Sequence, residues 1–84
     1  MDLKEITERN YAATVKRGLI TKNTILSEFV MKLEEEVQEF IDTPKDESEC
    51  ADIILVVLAY CQHYKIDIQK ALEEKTLYNE SRKD

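Results

Sequence analysis

Four acidic side chains lie at matched distances on either side of the only proline in the chain. Glu39 and Glu49 lie five residues before and after Pro44, and Glu36 and Asp52 lie eight residues before and after it. The two members of each pair, 36/39 and 49/52, are three residues apart and therefore share a face of a helix. If two helices fold back antiparallel about the proline, the four carboxylates converge in two layers about 4.5 Å apart along the axis.

The surrounding sequence indicates that two of these carboxylates face the interior. Glu36 falls inside the apolar stripe defined by Phe29, Val30 and Phe40, when the residues are placed at 100° intervals around a helix. Asp52 is the only charged residue in the apolar stretch 50–64. An unpaired carboxylate there would cost several kcal/mol or would stay protonated.

Converging carboxylates favour a divalent cation. All-oxygen ligation suits Mg²⁺, with Mn²⁺ as the alternative, whereas zinc prefers histidine or cysteine ligands. Such a Mg²⁺ site keeps coordination positions open for water and phosphate oxygens, which indicates phosphoryl chemistry. Taken singly, the acidic residues have simpler interpretations: Glu34 on a solvated face, Glu49 favouring a helix N-terminus, and Asp52 paired with a core lysine or tyrosine.

Hydrophobic spacing predicts four helices that position this cluster, over residues 2–17, 24–41, from 46 past 60, and 67–82. Asp2, Asp46 and Asp67 are the predicted N-caps, and Thr21 or Asn23 is the predicted cap of the second helix. Gly18 fits the left-handed position that ends the first helix. We expect the third helix to be buried nearly all round. The residues expected on the inner side of the fourth are Ile68, Ala71, Leu72, Thr76 and Leu77.

The length and amino-acid composition of the chain predict one all-α domain over residues 1–84. A single glycine and a single proline leave too few turn residues for an all-β fold. Charged residues are 36% and hydrophobic residues 43% of the chain, as in globular proteins. Because so short a helical chain buries limited surface, we expect the bundle to be completed by a second copy, in a homodimer or homotetramer.

Charge and composition restrict the expected partners and location. A net charge of −6 argues against duplex nucleic acid, which requires clustered lysine and arginine. The uncharged stretch 53–64 is too short to span a membrane, and the first residues include no apolar run typical of a signal peptide. Cys50 and Cys61, about 16 Å apart on one helix, are expected to be buried free thiols. We therefore expect a cytoplasmic protein.

His63 lacks the preceding glutamate of di-iron bundles and is expected to be a packing or helix-end residue.

The order and spacing of these motifs resemble the MazG-like all-α nucleoside triphosphate pyrophosphohydrolases. The matching elements are Glu36-x-x-Glu39, Glu49-x-x-Asp52 and Lys75-x-x-x-Asn79, within residues 10–82. The resemblance implies a four-helix, homo-oligomeric enzyme that cleaves a nucleoside triphosphate to the monophosphate and pyrophosphate.

The resemblance also assigns roles to individual residues. Glu36, Glu39, Glu49 and Asp52 would be the metal ligands, with Glu36 and Glu39 also counted as catalytic residues. Glu35 would orient water, although its helical angle points outward. Lys75, Asn79 and Arg82 would bind the phosphates or sugar of the substrate, and the alternative for both basic residues is a solvated helix C-terminus.

Two other functions are compatible with the sequence. One is a non-catalytic helical oligomerisation or adaptor module with a vestigial acidic metal site. The other is a phosphoribosyl-ATP pyrophosphohydrolase that uses the same metal chemistry on a different substrate. The chain lacks the tryptophans that some relatives in the family place near the base, so its sequence does not specify the nucleobase.

Overall fold

The computed structural model describes all 84 residues and contains four α-helices and no strand. The helices are α1 (Leu3–Lys16), α2 (Leu26–Asp42), α3 (Glu47–His63) and α4 (Ile68–Ser81). The predicted all-α class is confirmed, and each predicted start lies within two residues of the observed one. None of the helices is both long and apolar enough to cross a membrane.

Three of the four helices begin at the predicted aspartate caps. Asp2 accepts a hydrogen bond from the backbone of Glu5 at 2.8 Å, and Asp46 and Asp67 cap α3 and α4 in the same way. Gly18 has φ of +76°, which confirms the left-handed residue after α1.

The predicted cap of α2 is wrong. The helix begins after Ile25, whose backbone N–H donates to the carboxylate of Glu28 at 2.7 Å. Thr21 instead donates its backbone N–H to the hydroxyl of Thr24 at 2.9 Å, within a separate turn that precedes the helix. The acidic side chain at the third helical position therefore satisfies the backbone N–H that an N-cap residue leaves free.

Helix α3 is the centre of the fold, since both α1 and α2 pack against it. The buried cluster is small and consists of Ile20, Phe29 and Ala59, with Tyr11 and Tyr60 packed against it. Phe29 and Tyr60 meet edge to face, with ring centroids 5.7 Å apart. This contact joins the first turn of α2 to the last turn of α3, so the two helices run antiparallel and the last turns of α2 lie beside the first turns of α3, where the acidic residues lie.

Two expectations about burial are wrong for a single chain. Helix α3 is not buried all round, because Ile54 is 57% exposed on the side that neither α1 nor α2 covers. Helix α4 buries none of its residues, and Leu72 and Leu77 on its expected inner side are exposed. Four short helices supply too few neighbours to cover both apolar surfaces.

The expectation of two buried thiols holds for only one of them. Both cysteines are free, and Cys61 is buried in the second half of α3. Cys50, in the first turn of α3, is exposed.

Candidate metal centre

The turn between α2 and α3 sets the register of the acidic residues. Thr43 ends α2 by donating both its backbone N–H and its hydroxyl to the carbonyl of Glu39, at 3.1 and 2.9 Å. Lys45 then takes φ of +78°, and Asp46 donates its backbone N–H to Thr43 before capping α3. Because the connection is this short, the last turns of α2 lie level with the first turns of α3.

The four carboxylates predicted to converge do meet between these helices. One oxygen from each of Glu36, Glu39, Glu49 and Asp52 lies within 4.8 Å of the other three. The cluster is graded in exposure: Glu36 is only 6% exposed, Glu49 and Asp52 are half-buried, and Glu39 is exposed. It therefore has a buried end and an open end.

Two oxygens of the cluster are buried without any hydrogen-bond partner. They are Oε2 of Glu36 and Oε2 of Glu49. A buried polar group left unsatisfied costs about 1–3 kcal/mol, and a charged one costs more. Each helix thus contributes one carboxylate oxygen that the rest of the chain does not satisfy.

One basic residue compensates part of this charge. The ammonium nitrogen of Lys32 lies 3.0 Å from Oε1 of Glu36 and 3.4 Å from Oε2 of Glu35. The hydrogen bond to Glu36 is the main reason that the pKa of Lys32 is raised, and burial opposes the rise. Lys32 is the only basic residue that forms an ion pair with any of the four clustered carboxylates.

The remaining negative charge acts on Glu39. The pKa of Glu39 is raised, first because its carboxyl, once protonated, can donate a hydrogen bond to Glu36, then by the negative charge of Glu36, and further by partial desolvation and by the negative charge of Glu49. Lys32 opposes the rise. A proton on Glu39 therefore relieves repulsion that a bound cation would relieve more fully.

The dimensions of the four-oxygen set are comparable with those of a magnesium coordination shell. Opposite ligands around octahedral Mg²⁺ are about 4.2 Å apart, twice the usual Mg–O distance. The four oxygens lie within 4.8 Å of one another, a spread slightly larger than this value. Because all four donors are carboxylate oxygens, the set suits Mg²⁺ or Mn²⁺ better than zinc.

A cleft of about 680 Å³ lies beside the cluster, between α1, α2 and α3. Glu36 and Asp52 are part of its wall, so the acidic cluster and the cleft are continuous. Its apolar lining includes Ile20 and Phe29. The volume of the cleft lies within the range of small-molecule sites.

The polar lining of the cleft includes residues that the sequence did not single out. Two of them are basic, Arg17 and Lys32, and Arg17 makes no ion pair. The available signal for Lys32 is its position four residues before Glu36, which places the two side chains on one helix face. Glu35 also lines the cleft, and its side chain is 64% exposed, as its outward helical angle predicts.

The three residues predicted to bind substrate lie on or next to α4 and do not line this cleft. Lys75 lies over the ring of Tyr78, with its ammonium nitrogen 5.0 Å from the ring centroid. Arg82 lies one residue beyond the end of α4 and donates to the side-chain oxygen of Asn79 at 3.3 Å. It also pairs with Asp84 at 3.2 Å, so these side chains contact one another rather than the acidic cluster.

The resemblance to the MazG-like family rests on short motifs and on their spacing. The four carboxylates of the two acidic motifs lie together between α2 and α3. The third motif, Lys75 and Asn79 on α4, does not line the cleft beside them. No protein-family model, no curated protein and no solved structure matches the chain.

Proposed function

We propose that this chain is a Mg²⁺-dependent pyrophosphohydrolase that converts a nucleoside triphosphate to the monophosphate and pyrophosphate. The observation that carries the proposal is the pair of buried, unpartnered oxygens of Glu36 and Glu49 within a cluster of four carboxylates. A purely structural acidic pair would be expected to find donors within the protein. The motif resemblance supports the choice of substrate.

The residues divide between holding the cation and receiving the substrate. Glu36, Glu39, Glu49 and Asp52 would hold the ion, which when bound polarises a phosphate and lowers the pKa of a water molecule. Glu35, exposed in the cleft wall, would orient the attacking water through its carboxylate. The apolar part of the cleft would receive the nucleoside.

We also propose that the functional form is a homodimer or homotetramer. This proposal is supported by the exposed apolar side chains of α3 and α4, including Ile54, Leu72 and Leu77. In such an assembly, Lys75 and Asn79 of one copy would be free to approach the cleft of another. Sedimentation of the wild type should show a mass of two or four chains, and Ile54→Glu should lower it. A monomeric wild type that retains activity would contradict the proposal.

The first experiment is pyrophosphate release from ribo- and deoxynucleoside triphosphates and from phosphoribosyl-ATP, with Mg²⁺ and with chelator. We expect release that requires Mg²⁺ and yields the monophosphate. Activity restricted to phosphoribosyl-ATP would replace the substrate assignment but keep the chemistry. If the folded protein, with metal present, releases pyrophosphate from none of these substrates, an adaptor module is favoured.

The matched variants are Asp52→Asn and Asp42→Asn. Both remove one carboxylate and keep the shape of the side chain, but Asp42 is exposed and only accepts a hydrogen bond from Gln38. Asp52→Asn should abolish turnover without loss of helical content, and Asp42→Asn should retain turnover. Normal turnover in Asp52→Asn would contradict the metal assignment.

A further inference from the structure

Lys32 lies at the junction between the acidic cluster and the cleft. Its ammonium group pairs with Glu36 on the cluster side, while its side chain, 51% exposed, forms part of the cleft wall. Glu36 is therefore shared between two roles, since one oxygen accepts from Lys32 and the other is buried and unpartnered.

We infer that Lys32 is an exchangeable counter-ion, which neutralises Glu36 until a divalent cation binds and then contacts a phosphate oxygen of the substrate. The inference rests on the proposed function and adds a residue that the motifs do not include. It assigns to Lys32 a substrate-binding role that depends on the occupancy of the metal site.

The release of Lys32 from Glu36 on cation binding follows from charge. A divalent ion held by Glu36 would lie a few ångströms from the ammonium group, and the two cations repel each other. The lysine side chain is long and half-exposed, so its ammonium group can leave Glu36 and become solvated, whereas the buried carboxylate of Glu36 stays in place. The bound ion provides more charge to Glu36 than the lysine does, so the lysine is the group that moves.

The contact between Lys32 and a substrate phosphate follows from the residues that line the cleft. A triphosphate brings several negative charges to a chain whose net charge is already −6. The basic residues of the cleft are Arg17 and Lys32, and Lys32 is the one that contacts the acidic cluster. Lysine binds phosphate as a mobile point charge, which suits a residue that must exchange partners.

The first test measures Mn²⁺ binding without substrate, by titration calorimetry, for the wild type, Lys32→Met and Lys70→Met. Lys70 is the matched control because it pairs with Glu74 at the same i,i+4 spacing, on α4. Lys32→Met should bind Mn²⁺ about three- to tenfold more tightly, since the competing cation is absent. Lys70→Met should match the wild type.

Unchanged or weaker Mn²⁺ binding by folded Lys32→Met would overturn the inference while leaving the metal site intact. If the wild type itself binds no Mn²⁺, the proposed function fails and this inference fails with it. Circular dichroism of each variant establishes that it is folded, and Lys32→Gln provides a second neutral variant if the methionine disturbs packing.

The second test measures binding of inorganic pyrophosphate to the Mn²⁺-saturated proteins. Lys32→Met should lose about tenfold in affinity, whereas Lys32→Arg and Lys70→Met should lose little. In steady-state kinetics the loss should be larger in KM than in kcat. Equal pyrophosphate affinity in the wild type and Lys32→Met would overturn the phosphate-binding role.

Discussion

The phenolic oxygen of Tyr11 lies 2.8 Å from Nδ1 of His63, and Nε2 of the same ring lies 3.0 Å from the carbonyl oxygen of Thr24. Because a carbonyl can only accept, Nε2 carries the hydrogen, and in the neutral ring Nδ1 accepts from Tyr11. His63 thus joins α1, the segment before α2 and the end of α3. Both ring nitrogens are occupied within the protein, which confirms that His63 is a packing and helix-end residue.

Tyr11→Phe should lower the free energy of unfolding by about 1–2 kcal/mol, because it leaves a half-buried histidine nitrogen without a donor. The measurement is urea denaturation followed by circular dichroism. Tyr78→Phe is the control, since Tyr78 is 56% exposed and its hydroxyl makes no hydrogen bond within the chain. An equal effect of the two substitutions would show that the Tyr11–His63 contact does not stabilise the fold.

Glu49→Gln should stabilise the metal-free protein by about 1 kcal/mol, because it removes a charge whose buried oxygen has no partner. For a chain of this size, that difference raises Tm by about 4–8 °C. The new amide can donate to a neighbouring carboxylate of the cluster. Conversely, added Mg²⁺ should raise the Tm of the wild type more than that of the variant. A metal-free variant less stable than the wild type would contradict the account of the cluster.

The metal-free protein should lose stability as the pH rises through the titration of Glu39. Its pKa is raised by the hydrogen bond to Glu36 and by the charge of Glu36, so the folded state holds this proton more tightly than the unfolded chain. The resulting stabilisation is complete below the unfolded pKa and is lost as pH rises through the higher folded pKa.

The measurement is the urea midpoint of the metal-free protein, from pH values below the ordinary glutamate pKa of 4.5 to values above the raised pKa of folded Glu39. Glu39→Gln should remove this part of the pH dependence. Glu34→Gln should keep it, because Glu34 is exposed on the same helix and forms no ion pair. A wild-type midpoint that rises with pH throughout would contradict the raised pKa.

Gly18→Ala should destabilise the fold by about 1–2 kcal/mol, the cost of a left-handed backbone for a residue with a Cβ. The space around the position is open, since an added Cβ would meet nothing within 4 Å. Backbone strain is therefore the whole expected effect, and Gly18→Asn should cost less because asparagine tolerates this conformation. Thermal unfolding of both variants distinguishes strain from packing, as a steric effect would make the larger asparagine worse.

The helical bundle and the acidic cluster were predictable because their determinants are local. The aspartate caps and Gly18 act within one turn of their own helix, and the matched spacing about Pro44 requires only that two helices fold back. The burial of Glu36 followed from its place in an apolar stripe. Each of these predictions needs one helix or one pair of neighbouring helices.

The environment of α4 and the exposed side of α3 could not be predicted in the same way. Periodicity shows which face of a helix is apolar, but not whether the same chain covers that face. Leu72 and Ile54 are apolar and correctly spaced, yet both are exposed in the single chain. The basic residues of the cleft were missed for a related reason, because Arg17 reaches the cleft only through the packing of α1 against α3.

The short turn at Pro44 also has a consequence for folding kinetics. All four clustered carboxylates belong to one local hairpin, between residues 36 and 52, so they approach one another as soon as α2 and α3 pair. Contacts of such small sequence separation form early. Their mutual repulsion is therefore present in the folding transition state, where it slows folding more than it speeds unfolding. Salt, by screening the repulsion, should raise the folding rate and leave the unfolding rate nearly constant.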